Sequence, residues 1–268
     1  MALPITDLGG PQFANWLPDE TLFSLASRIH RISGNRLAST TCQALFGHTR
    51  QGSAHDLPCR VDAFVERTRG EFGGTEEIIR ARTVLPYFLP FHPPEQARNA
   101  IACMRGDGIG SLKFQLGLLT SRFRAHLPLK ACPQCMAADR QQFHISYWHR
   151  EHQLPGVWVC RAHDAALLES TMKSTGAERF GWHLPTTDTL RHPDKTEHQF
   201  RDRARTNLAR IADASAALCT LDPDFAFDKE RLREVYREAL MSRSLASATG
   251  RLRLAEIGDA RSEEHTSE

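Results

Sequence analysis

Along the first 110 residues, apolar side chains recur every three or four positions in short runs, and glycine or proline closes each run. Leu22, Leu25, Ala26, Ile29 and Ile32 predict a helix that Asp19 is suited to cap and Gly34 to end. Ala38 to Phe46 predicts a second helix, stopped by Gly47. Pro58 leads into a third from Val61 to Arg69, with Val61, Phe64 and Val65 inward and Gly70, Gly73 and Gly74 as breakers. Thr75 to Thr83 predicts a fourth, with Thr75 as its cap and Ile78 and Ile79 as its apolar pair. Pro93 and Pro94 open another that runs to about Met104, and residues 106–111 read as a loop.

After residue 112 the period shortens. Lys113 to Leu116, Ile145 to Trp148 and Val157 to Val159 are short runs of aromatic and β-branched residues, which predict strands. Tyr147-Trp148 and Val157-Trp158-Val159 are expected to pair as a hairpin around Pro155-Gly156. Residues 171–196 are polar and rich in turn formers, as in a linker or surface loop. Helical spacing returns at Leu208, Ile211, Ala212, Ala216 and Leu218, and again at Leu232, Val235, Tyr236, Ala239 and Leu240. A glycine-containing turn and a short apolar run from Leu252 to Ile257 follow, a pattern compatible with a helix-turn-helix. The expected fold class is mainly α with a small β module (α+β). Its parts are a helical region over 1–111, a compact β module over 112–170, a linker over 171–196 and a helical region over 197–260.

Composition narrows the class. With 41% hydrophobic and 25% charged residues, the chain suits a soluble globular protein of one or two domains. No apolar stretch approaches 18 residues, and Val84 to Phe91 is interrupted by Pro86 and Pro90, which argues against a membrane helix. The N-terminus has neither the basic nor the apolar part of a signal peptide, so a cytoplasmic location is expected. Residues 261–268, Arg-Ser-Glu-Glu-His-Thr-Ser-Glu, read as the translation of a sequencing adapter. The native chain is therefore expected to continue differently beyond Ala260. Setting that segment aside, with its one Arg and three Glu, moves the net charge from +2 to +4. A mildly basic balance permits nucleic-acid contact without requiring it. Arg28 and Arg31, near one face of the first helix, suit phosphate or an acidic protein, but a solvated helix face is the simpler reading.

Seven cysteines in a long chain without a leader argue against a disulfide framework and for metal binding by closely spaced pairs. Cys132 and Cys135 form one pair at x2 spacing. After 24 further residues, Cys160 and His163 form another. Each spacing lets a tight turn aim both side chains at one ion, and the two together give tetrahedral Cys3His coordination, the closed geometry of structural zinc. A catalytic zinc keeps an open position, so four protein donors argue against that role. His144, His149 and His152 lie between the pairs; each is a candidate to replace His163 or to hydrogen-bond a ligand thiolate, with a place on the surface as the simpler reading. A redox role for Cys132 and Cys135 requires a helix after the first cysteine, where a hairpin is expected instead. Gly-Asp-Gly-Ile-Gly-Ser at 106–111 lacks the lysine and hydroxyl of a phosphate loop. Cys42, Cys59, Cys103 and Cys219 read as small hydrophobes or surface thiols.

Three segments resemble the TniQ/TnsD family of bacterial transposition proteins. Leu17-Pro18-Asp19-Glu20-Thr21-Leu22-Phe23-Ser24, running on to Arg28, is similar to the family's opening motif. Thr83-Val84-Leu85-Pro86-Tyr87 is similar to its Thr-x-x-Pro-Tyr segment. The most specific is Cys132 to Leu168, with Tyr147-Trp148, then His152-Gln153-Leu154-Pro155-Gly156, then Cys160 and His163. The resemblance implies zinc on Cys132, Cys135, Cys160 and His163. It further implies a non-enzymatic role in selecting the target of transposition, with helix-turn-helix elements and DNA binding. The implied partners are an AAA+ ATPase regulator, a DDE transposase, and either target DNA or an RNA-guided targeting complex. Whether DNA is touched directly and whether the chain forms a homodimer stay open. Rival readings are a zinc-stabilised helix-turn-helix transcription regulator and a zinc hydrolase.

Overall fold

The computed structural model describes residues 15–107, 109–119, 128–172, 180–192, 202–222, 224–247 and 249–254. Met1–Asp224 and Phe225–Glu268 are separate compact units.

The first unit is built around α1 (Leu22–Ser33). Thr21 caps it, its hydroxyl accepting from the Ser24 N–H at 3.1 Å, and Gly34 closes it in the left-handed conformation. Asp19, expected as the cap, is freed for another task. Every residue from Leu22 to Ile29 is buried, so this half of α1 is a central element enclosed on all sides. That overturns the reading of Arg28 as either a binding or a solvated residue. Its guanidinium donates to both oxygens of Glu20 at 2.8 and 2.7 Å, with the two side chains 1% and 0% exposed. A third Glu20 contact, from the Leu17 N–H, and the Asn15 carbonyl accepting from Arg28 extend the pair's hydrogen bonding. Arg31 lies on the exposed part of the helix.

Around α1 stand α2 (Ala38–Phe46), α3 (Val61–Arg67), α4 (Thr75–Arg82), α5 (Leu85–Phe88), α6 (Pro94–Arg105) and α7 (Ile109–Gln115). Of these, α1, α2, α3, α4 and α6 lie within a few residues of their expected positions, because each run had its own stop, whereas the short α5 was not foreseen. Gly74, rather than Thr75, precedes α4 as its cap. The strand expected at Lys113 to Leu116 is helical. Leu112 and Leu116 are buried while Phe114 is exposed, so the packing follows i, i+4 spacing, and Lys113 bonds Asp56 at 2.6 Å. An alternating run of four residues cannot distinguish these outcomes.

Three short strands, β1 (Lys130–Ala131), β2 (Leu168–Ser170) and β3 (Leu190–Arg191), form an antiparallel sheet in that order. Helices α8 (Pro133–Phe143), α9 (Arg150–Gln153) and α10 (Asp202–Leu218) complete the unit. Within residues 180–192, expected as part of a linker or surface loop, Trp182, Leu184 and Pro185 are buried. Trp182 stacks on Phe46 with centroids 6.1 Å apart, lies against Phe23, and donates to the Ala38 carbonyl. One buried tryptophan outweighs a polar surrounding sequence.

The second unit carries α11 (Lys229–Ser242), capped by Asp228, whose carboxylate accepts from the Arg231 N–H at 2.7 Å. The chain then turns back so that Ala246 bridges Leu252. Leu252 is thus extended rather than the start of a helix, and residues 255–257 lie outside those described. The described residues are mainly helical with one small three-stranded sheet. Among the described residues no helix is long and apolar enough to cross a membrane.

Candidate metal centre

Cys132 leaves β1 and becomes the residue before α8, with Pro133 in the first helical turn, where its missing N–H costs nothing. One turn of helix then brings Cys135 alongside, held by the Met136 N–H donating to the Cys132 carbonyl. The second pair sits in a tight turn. Val159 bridges Ala166, the Cys160 N–H donates to the Ala165 carbonyl, and the Asp164 N–H donates to the Cys160 carbonyl, both at 2.8 Å. Asp164 takes a left-handed conformation to close it.

The expected hairpin is therefore half right. Val159 does enter an antiparallel contact, but around Arg161 to Asp164 and not around Pro155-Gly156. Tyr147 and Trp148 are drawn away to the N-terminal segment: Thr21 N–H donates to the Trp148 carbonyl, Trp148 N–H to Ser24 Oγ, and Glu20 bridges His149.

The two turns bring Cys132, Cys135, Cys160 and His163 together, their ligand atoms all within 4.8 Å of one another. Cys135 Sγ lies 3.6 Å from Cys160 Sγ. His163 Nδ1 lies 3.7, 3.3 and 3.6 Å from the sulfurs of Cys132, Cys135 and Cys160. A tetrahedral zinc with ordinary bond lengths separates two sulfurs by about 3.8 Å and a sulfur from a nitrogen by about 3.6 Å. The donor set fits that ion in kind, number and spacing. A helix after a Cys-x-x-Cys is also the context of redox dithiols. What sets this site apart is the second pair, which closes the tetrahedron.

Without a cation the sulfurs must share protons. S–H donation from Cys135 and Cys160 pulls the Cys132 thiol well below the ordinary value, and contact with Cys132 pushes the Cys135 and Cys160 thiols up. A dication takes the place of those protons, which couples its binding to proton release. The three cysteines are buried, whereas His163 lies at the exposed edge.

The three intervening histidines have separate fates. His144 is exposed and ends α8 in a left-handed conformation. His149 turns its Nε2 to Asp139 at 3.1 Å. His152 is buried, with Nε2 3.9 Å from Cys135 Sγ, and burial drives its pKa down to about 3.

Several supporting residues were invisible in the spacing. The Gln153 amide accepts from the Lys130 N–H and donates to the Lys130 and His149 carbonyls, acting as a short false strand beside β1. Lys130 is wholly enclosed, its Nζ donating to the Leu154 and Val157 carbonyls over the Trp158 ring, and burial lowers its pKa to about 7. Asp19 accepts from the Glu151 N–H at 2.9 Å and pairs with Arg150, capping α9 from the opposite end of the motif set. Arg161, between two candidate ligands, reaches Glu151 and Asp213, and Arg205 meets Asp164, so α10 is fastened over the second turn.

A helical platform with its opening motif locked to a Cys3His block defines the class. Residues 11–167 match the TniQ family model, and the chain belongs to that family. It is similar to the transposon Tn7 transposition protein TnsD of Escherichia coli, at 21% identity over 201 residues. That similarity takes in 74% of this chain but 39% of the length of TnsD.

Proposed function

We propose that this chain is a target-selection adaptor in DNA transposition, acting by binding and not by catalysis. The carrying observation is that the family match spans both the opening motif and the Cys3His cluster, the features that hold the first unit together. The likeness to a Tn7 transposition protein supplies the process. In this reading Cys132, Cys135, Cys160 and His163 hold one structural zinc, which supplies four bonds between segments too short to fold on their own. A donor set with no open position suits a scaffold better than a hydrolase. Residues 1–111 and 112–170 act together as the platform. The adaptor binds target DNA or a targeting complex and brings an AAA+ regulator and a DDE transposase to it.

The test is targeted insertion by the cognate transposase with wild-type or Cys132→Ser/Cys135→Ser chain, beside co-purification with that system's AAA+ ATPase. We expect about one zinc per wild-type chain, capture of the ATPase, and loss of targeted insertion in the variant. Undiminished targeting without the chain, or a chain that captures neither ATPase nor DNA, overturns the reading.

A further inference from the structure

Three thiolates around one dication leave an excess negative charge inside the fold, and each sulfur needs hydrogen-bond donors to carry it. Two of the three find donors in their own turns. The backbone N–H groups of Gln134 and Cys135 point to Cys132 Sγ, and that of His163 points to Cys160 Sγ. For Cys135, the second residue of its pair, the donor is a ring from another element. His152 Nε2 stands 3.9 Å from Cys135 Sγ, and the residue is only 5% exposed.

The other nitrogen of that ring settles where its proton lies. His152 Nδ1 is buried and meets no hydrogen-bond partner. A proton on Nδ1 would strand a buried donor and leave Nε2 facing a thiolate lone pair to lone pair. A proton on Nε2 serves the sulfur and strands only an acceptor, the less costly of the two. The ring is also held in place by its neighbours. His149 lies against it with centroids 5.1 Å apart, and His149 is itself fixed by Asp139 and by Tyr147, stacked at 4.3 Å. Tyr147 in turn donates its hydroxyl to the Pro18 carbonyl at 2.9 Å.

We propose that His152 is the positioning residue of the metal centre, donating from Nε2 to the Cys135 thiolate. This rests on the zinc reading above. The ring ladder Tyr147–His149–His152 then carries the placement of the opening motif into the geometry of a ligand bond. Its effect is to hold the Cys135 side chain at its bonding angle and to draw charge from that sulfur, which strengthens retention of the ion.

Cobalt(II) substitution of the full chain tests this, because thiolate-to-cobalt charge transfer reports the charge on sulfur. His152→Phe keeps a ring and removes the donor. We expect it to weaken cobalt and zinc affinity about 10- to 100-fold and to move the charge-transfer band to lower energy. His152→Gln, which can return an N–H, should restore much of both. In the zinc-loaded wild-type chain, proton–nitrogen correlation spectra of the His152 ring should show the Nε2-protonated tautomer, a reading that needs no variant. A folded His152→Phe chain with wild-type affinity and spectrum overturns the inference, as does an Nδ1-protonated ring. A wild-type chain with no thiolate-to-cobalt band overturns the metal reading itself.

Discussion

Glu20 and Arg28 show how a single pair sets a requirement on a whole region. Each is buried, and each satisfies the other's charge twice over. Removing one partner leaves the other charged and enclosed, which costs about 3–5 kcal/mol. Glu20→Ala should therefore destabilise the first unit by that amount in urea titration, whereas Glu20→Leu with Arg28→Met should recover most of it. A loss below about 1 kcal/mol for Glu20→Ala would show that the pair relaxes into water. Two acids, the buried Asp56 and the half-buried Asp19, respond to pH with opposite sign. Burial alone would raise the Asp56 carboxyl, but His55, Lys113 and the Leu57 N–H outweigh it and hold its pKa below the ordinary value. Its contribution is complete above the unfolded value of about 3.9 and is lost as pH falls through the lower folded value. At Asp19 burial prevails over the Glu151 N–H and Arg150 and raises the pKa, so its contribution is complete below the unfolded value and fades as pH rises through the folded one. Asp56→Asn should flatten the acid limb of a stability–pH curve below about pH 4, measured by denaturant midpoints. An unchanged acid limb would remove Asp56 from that account.

Among the elements, α10 tests what fastens a helix to its neighbours. Two kinds of contact hold it over the second metal turn: the Arg161–Asp213 and Arg205–Asp164 pairs, and a face of small residues in which Ala212 and Ser215 are buried. The ion pairs are open to solvent, and pairs of that sort contribute about 0–1 kcal/mol. The small face is close-packed, and a larger side chain there costs about 1–3 kcal/mol. Ala212→Leu should thus lower stability more than Arg161→Ala does; the reverse order in thermal melts would place the fastening in the charges. The elements also show what the sequence made legible. Helices with their own stops, such as Ala38–Phe46 before Gly47, could be placed by pattern alone. So could the four donors, because x2 spacing is a local constraint. The helix after Cys132 and the helical state of Lys113 to Leu116 could not. In both, contacts with distant residues decide the outcome: Ser146 Oγ on the Met136 carbonyl in one, Asp56 on Lys113 in the other. Trp182 gave no periodic signal at all, since one residue has no period.

For the molecule as a whole, the Cys3His block is not a free-standing knob. Asp19, Thr21 and Ser24 bond directly to the backbone of residues 148–151, and Tyr147 bonds Pro18. If the proposed zinc joins these segments, its removal with a chelator should accordingly deprotect more than residues 128–172. In hydrogen exchange, the amides of Leu25 to Ile29 in α1 should lose protection together with those of the block. Retained protection in α1 alongside an exchanged block would show that the two fold separately. Metal loss and Cys132→Ser should give the same exchange pattern if the ion is the common cause.

The same ties between Asp19 and Glu151 set an order in time. A ribosome releases the chain from its N-terminus at roughly 5–20 residues per second, so α1 waits several seconds before Trp148 and α9 emerge to cover it. Through that interval a nascent helix whose first half, Leu22 to Ile29, is enclosed in the finished protein has its apolar surface and the Glu20–Arg28 pair only partly covered. Production of this protein should therefore depend on how well the cell shelters an unfinished chain.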